Sequence, residues 1–240
     1  MAHISRRELK TDEVRDTLAH GADVVLSHQR FTSYIVIIAV LVALGVFGWK
    51  TYAERQTVKA AAAYDDAMKV YQARIRTPFE PPQEPGEIAY TDETKKYSDA
   101  AVKLGDVAKK FPRTRPGQLA AYYAGLSDEH LGKTDDAKKW LQGVADSGTE
   151  DFASMARFEL AQIYDHQGQG DEAVKIYQQL IAKPAVLVPK PVVMLALAEH
   201  YTANNPAEAS KLFAQIKSDY PNTPIAEQAE QELNLLPGKI

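Results

Sequence analysis

Cysteine is absent from the chain. That removes disulfides, thiolate nucleophiles and cysteine-ligated zinc, and it fits an oxidising compartment. An excess of positive charge is also missing. The 28 Lys and Arg stand against 32 Asp and Glu, a formal net of −4, so the electrostatic footprint of a nucleic-acid-binding protein is not there. Catalytic signatures are lacking too. No His-x-x-x-His spacing and no Gly-x-Ser-x-Gly elbow occurs. The turn Gln167-Gly168-Gln169-Gly170-Asp171 is no phosphate loop, because no Gly-Lys-Ser/Thr follows it; Asp171 reads there as a helix N-cap. An enzyme is not expected, and neither is a cofactor or a metal site.

Charge is missing most sharply from Tyr34 to Trp49, where no charged side chain breaks the apolar run. A helix rising about 1.5 Å per residue needs roughly 20 residues to cross a hydrocarbon layer about 30 Å thick. Valine, isoleucine and leucine cover every face of the run. Its edges carry interface residues: Arg30, Phe31 and Tyr34 before it, Trp49, Lys50 and Tyr52 after it. Residues 31–52 are therefore expected to be a transmembrane helix. No Ala-x-Ala site directly follows, so an uncleaved anchor is expected rather than a signal peptide. Ala39 and Ala43 form a small-xxx-small pair that would let another membrane helix approach.

Residues 1–30 form a short charged tail. Ser5 and Glu8 have capping-box spacing, and Val14, Leu18, Ala22, Val25 and Leu26 recur at helical steps. That pattern fits an amphipathic helix on a membrane or partner, or a loose extension of the anchor. Residues 1–49 balance five bases against five acids, so the part after the anchor carries the whole −4. Orientation reads two ways. Lys50, Arg55 and Lys59 outnumber Arg30 and Arg15 near the helix ends and favour a cytoplasmic domain, but long domains translocate largely regardless of charge.

After the anchor every long segment reads as helix. Residues 50–76 carry an apolar stripe of Ala60, Tyr64, Ala67, Met68, Tyr71 and Ile75. The insert 78–86, with Pro78, Pro81, Pro82 and Pro85, breaks it. This insert reads as a solvated linker or as a ligand for a partner's groove. Beyond it the chain repeats. Ala137, Ala173 and Ala209 stand thirty-six residues apart, each followed four residues later by a bulky side chain, Leu141, Tyr177 and Phe213. Small residues Gly125, Ala161 and Ala198 precede them. The phrase around Phe111-Pro112 echoes that around Tyr220-Pro221, and an earlier copy lies between Tyr64 and Ala100 or Ala101. Residues 223–236 read as a terminal helix covering the last repeat.

Small residue, alanine, aromatic and closing proline at this spacing resemble the tetratricopeptide repeat (TPR) over roughly residues 57–235, although its tryptophan is missing at Ala121 and Arg157. The expected fold is all-α: one N-terminal transmembrane helix followed by a TPR-like helical-repeat (α-solenoid) domain over residues 53–240. In such stacks the first helix of each pair lines the concave face. Aligning on the small residues places Tyr122, Leu126, Glu129 and His130 there from one repeat. Phe158, Gln162, Asp165 and His166 come from the next, and Leu195, Glu199 and Thr202 from the last. Apolar contacts beside the carboxylates Glu129, Asp165 and Glu199 would suit a basic or partly unfolded polypeptide.

The layout as a whole resembles the ancillary SecYEG translocon subunit family (YfgM-like proteins): a charged tail, then a membrane helix ending in Gly48-Trp49-x-x-Tyr52, then an alanine- and tyrosine-rich repeat domain. That resemblance implies a bacterial inner-membrane protein with a cytoplasmic N-terminus and a periplasmic repeat domain. It further implies association with the secretion channel and cooperation with a membrane-anchored chaperone. The longer tail and the insert 78–86 depart from the family's pattern. The alternatives left open are a scaffold for another envelope assembly and a cytoplasmic-facing tethered TPR adaptor.

Overall fold

The computed structural model describes residues 29–77, 80 and 86–236. The expected amphipathic tail helix, most of the insert and Pro237-Gly238 lie outside the described residues. Two compact units appear, Met1–Arg55 and Gln56–Ile240.

Helix α1 runs Gln29–Tyr71 and is long and apolar enough from Ser33 onward to cross a membrane. In the first unit its apolar side chains face outward: Ile35, Val40, Leu44 and Phe47 are all more than half exposed. In the second unit the same helix changes character. Ala60, Ala67 and Met68 are buried against Ala100, Leu104, Val107 and Ala120, with Tyr64 and Tyr71 half-buried beside them.

The helix was expected to continue to residue 76 but stops at Tyr71. Arg74–Ile75 forms strand β1, paired in parallel with strand β2, Ala89–Tyr90. The cause is local: the approach to Pro78 disfavours helix, and extended backbone can instead donate from Arg76 N to Tyr90 O at 2.8 Å. Nor are Glu80 and Glu87 free in solvent. Arg74 Nε donates to Glu87 at 2.7 Å, its Nη1 pairs with Glu80, and Arg76 Nη1 donates to the Glu80 carbonyl at 2.7 Å.

Seven helix-length segments remain after α2, Glu93–Lys110. These are α3 Arg115–His130, α4 Thr134–Ser147, α5 Glu150–His166, α6 Gly170–Ala182, α7 Lys190–Asn204, α8 Pro206–Asp219 and α9 Pro224–Leu235. Each packs on the next, and α3 also meets α5 as α7 meets α9. That is the pattern of stacked helix pairs.

The alanine alignment marks the packing seam. Ala100, Ala137, Ala173 and Ala209 are all 0% exposed, and Leu104, Leu141, Tyr177 and Phe213 are 1% exposed or less. Ala100, not Ala101, is therefore the repeat alanine of the first pair. The small residues opposite have a steric reason. A Cβ on Gly125 would sit 3.0 Å from Leu141 Cγ, while Ala161 and Ala198 are 0% exposed.

The echoed phrases fold alike. Helix α2 ends at Phe111 (φ −129°, ψ 46°) and α8 at Tyr220 (φ −128°, ψ 49°). Thr114 and Thr223 then act as N-caps, each donating its hydroxyl back to that terminal carbonyl and accepting from the backbone three residues on. The turns after α3 and α5 also match. Gly132 (φ 70°) and Gly168 (φ 72°) take the left-handed conformation. Lys133 N and Gln169 N both reach back to carbonyls in the last helical turn at 2.8 Å. Asp171 was expected to cap α6 but does not; that place falls to Gln169, without a side-chain bond. Asp171 sits in the first turn, where its charge favours the helix dipole. Gly170 is small for another reason, since its Cβ would lie 2.6 Å from His200 Cε1.

Candidate protein-binding groove

Neighbouring first helices, and the terminal helix α9, are joined by polar contacts. Tyr122 Oη on α3 donates to Glu159 Oε1 on α5 at 2.8 Å. His200 Nδ1 on α7 lies 2.6 Å from Asp165 Oδ1 on α5. Gln228 Nε2 on α9 donates to Glu199 Oε1 on α7 at 3.4 Å. These contacts hold α3, α5, α7 and α9 side by side.

Between α5 and α7 lies an open depression of about 660 Å³. Seven of the eleven expected site residues line it: Phe158, Gln162, Asp165, His166, Leu195, Glu199 and Thr202. Tyr177 forms part of its wall, with its ring centroid 6.0 Å from that of Phe158. The mouth is polar at His166 and Glu199, both exposed, and the floor is apolar at Leu195, which is buried. A surface with a dry floor and a charged rim offers contact area to an extended chain and orientation to its charges.

The four expected residues from α3 do not line this depression. Tyr122 is buried and belongs to the core shared with Leu141 and Leu160, where Leu126 packs beside it. Glu129 is half-buried. His130 is exposed and stacks on Tyr97, the rings parallel to within 7° and 4.0 Å apart. His130 and His166 close α3 and α5 respectively, the equivalent positions that their thirty-six-residue spacing implies.

Sequence reasoning missed Glu159 and His200. Burial pushes the Glu159 carboxyl above the ordinary carboxylate range; the Tyr122 hydrogen bond opposes that and the nearby Glu129 charge adds to it. The Tyr122 hydroxyl is driven up in turn, chiefly by burial and then by Glu159. A signal was available, since Glu159 follows Tyr122 by thirty-seven residues and His200 follows Asp165 by thirty-five. A partner one repeat away, offset by one, is where a cross-link between neighbouring first helices must lie. Among the described residues no group of three or more His, Asp or Glu is placed to hold a metal ion.

The Tetratricopeptide repeat-like domain family matches residues 28–184, more than half of the chain and inclusive of α1. The chain belongs to that family. No curated protein and no solved structure matches it. Family membership and stacked helix pairs together define a protein-binding helical-repeat module.

Proposed function

We propose that this chain is a membrane-anchored protein-binding module that accompanies the Sec translocon and passes translocated chains to membrane-anchored chaperones. Residues 31–52 span the bacterial inner membrane, the N-terminus is cytoplasmic and the repeat domain over residues 53–240 is periplasmic. The depression between α5 and α7 receives an extended, basic or partly unfolded segment. That depression carries the reading, because it joins an apolar floor to a carboxylate-bearing rim between neighbouring first helices. The outward-facing apolar side chains of α1 support the anchor.

Topology tests it. A reporter active only outside the cytoplasm, fused after Ile240, is expected to be active, and the full chain is expected to copurify with secretion-channel subunits. A silent reporter beside an active cytoplasmic one would overturn the periplasmic assignment and favour a cytoplasmic-facing tethered adaptor, the reading that Lys50, Arg55 and Lys59 support. A periplasmic domain held by one fixed stoichiometric partner would instead point to a scaffold of another envelope assembly.

A further inference from the structure

Where α1 enters the repeat domain, a further pocket opens within the second unit. It holds about 480 Å³ between α1 and the C-terminal end of α2. Its apolar wall is Ala63 of α1 with Val107 and Phe111, the last of these being the residue that ends α2. Val107 and Phe111 are buried. Gln56 and Lys59 line the pocket from α1, and Asp106 and Lys110 from α2. Lys59, Asp106 and Lys110 are exposed. None of the three takes part in an ion pair among the described residues. The Lys110 ammonium lies 5.5 Å from the centroid of the Phe111 ring, over the apolar wall.

The surroundings are basic. From Lys103 to Arg115 the chain carries Lys103, Lys109, Lys110, Arg113 and Arg115 against the single acid Asp106, in a protein of net charge −4. A lysine in the last turn of α2 answers that helix's dipole. Lys59 stands in the interior of α1 and has no such reason to be there. Two ammonium groups above an apolar wall fit a phosphate joined to a hydrocarbon chain. A free phosphate would not use the wall, and a fatty chain alone would not use the lysines. The two lysines and one carboxylate leave one net positive charge, the complement of a lipid with one net negative charge. The chain also keeps the pocket within reach of lipid. Lys59 follows Tyr52, the last residue of the expected anchor, by seven residues, so at most about 25 Å of backbone separates them. We infer that this pocket receives an anionic phospholipid of the membrane that α1 crosses. Lys59 and Lys110 hold its phosphate, and Ala63, Val107 and Phe111 take the start of an acyl chain. This rests on the membrane anchor in the proposed function and is independent of which side the repeat domain faces.

The test uses the full chain in a neutral detergent, with the lipids retained on it counted by native mass spectrometry. The probes are phosphatidylglycerol and phosphatidylcholine with the same acyl chains. One phosphatidylglycerol per chain is expected to bind about tenfold more tightly than phosphatidylcholine, within the scale of two lysines acting on an anionic lipid. The double variant Lys59→Gln, Lys110→Gln is expected to erase that preference. The double variant Lys50→Gln, Arg55→Gln, which removes bases that do not line the pocket, is expected to keep it. An excess of glycerol phosphate is expected to leave the lipid in place; displacement would overturn the lipid and reassign the pocket to a free phosphate. Equal retention of the two lipids by the unaltered chain, or retention of neither, overturns the pocket and leaves the anchor standing. A preference that survives Lys59→Gln, Lys110→Gln also overturns it, by moving the lipid elsewhere. Flotation with phosphatidylcholine vesicles reads the anchor separately: a full chain that fails to float overturns the anchor and the lipid's route together.

Discussion

Aligned positions of the second helices are nearly interchangeable, whereas aligned positions of the first helices are not. At Ala137, Ala173 and Ala209 the burial is the same in every repeat, as it is at the bulky residues four later. On the first helices Tyr122 is buried in a core, Phe158 is half-buried in a groove wall and Leu195 floors the groove. Glu129 has no ion-pair partner among the described residues, Asp165 meets His200, and the third aligned position is Thr202. The second helices answer one repeated packing requirement. The first helices each face a different neighbour, so their residues are individual.

The sharpest way to break this comparison is in the seam. Phe213→Ala and Leu141→Ala each remove a fully buried side chain and are expected to cost about 3–5 and 2–5 kcal/mol respectively, read by chemical denaturation of the full chain in detergent. Equal losses at the exposed groove residues His166 or Glu199 would erase the distinction between seam and groove.

The echoed turns come next. Gly117→Ala places a Cβ 1.9 Å from the Phe111 carbonyl oxygen and is expected to destabilise by about 1–3 kcal/mol, within the usual range for a single disruptive substitution. The equivalent position in the other turn already holds Ala226, so Ala226→Gly is expected to cost only about 1 kcal/mol from lost helix propensity. Thr114→Ala and Thr223→Ala remove matched caps and are each expected to cost about 1 kcal/mol. A large difference between the two threonines would mean that the turns are alike only in sequence.

The smallest effect concerns pH. Burial raises the Glu159 carboxyl in the folded chain. A group whose folded pKa is raised holds its proton more tightly in the native state. Its contribution to stability is therefore full at acidic pH and is lost as pH rises through the raised value. Glu159→Gln is expected to leave stability unchanged in acid and to raise it slightly at neutral pH, measured as thermal midpoint against pH. A variant less stable than the parent at neutral pH would mean that the charged carboxylate is favoured where it stands.

What the sequence makes legible follows from the same contrast. The repeat alanines, their bulky partners and the two proline turns were readable because each recurs with one geometry. The apolar run of α1 was readable because it has no charge and no polar face. Glu159 and His200 were not, because each is defined by a contact to the neighbouring repeat rather than by its own position in the alignment. Strands β1 and β2 are not legible, because two-residue pairings leave no periodicity. The Asp171 cap was misplaced because the first helical hydrogen bonds of α6 run from Glu172 N and Ala173 N to the Gln169 carbonyl, so the helix begins before Asp171.

The central claim is that the first helices, not the second, carry the polypeptide-binding surface. A photo-crosslinking residue placed in turn at Gln162 and Thr202, and at Lys139 and Lys175 on second helices α4 and α6, tests it on the full chain with a defined, permanently unfolded polypeptide. Crosslinks are expected from Gln162 and Thr202 and few from Lys139 and Lys175. Crosslinks mainly from the second-helix positions would contradict it and place the binding surface on the opposite face of the repeats.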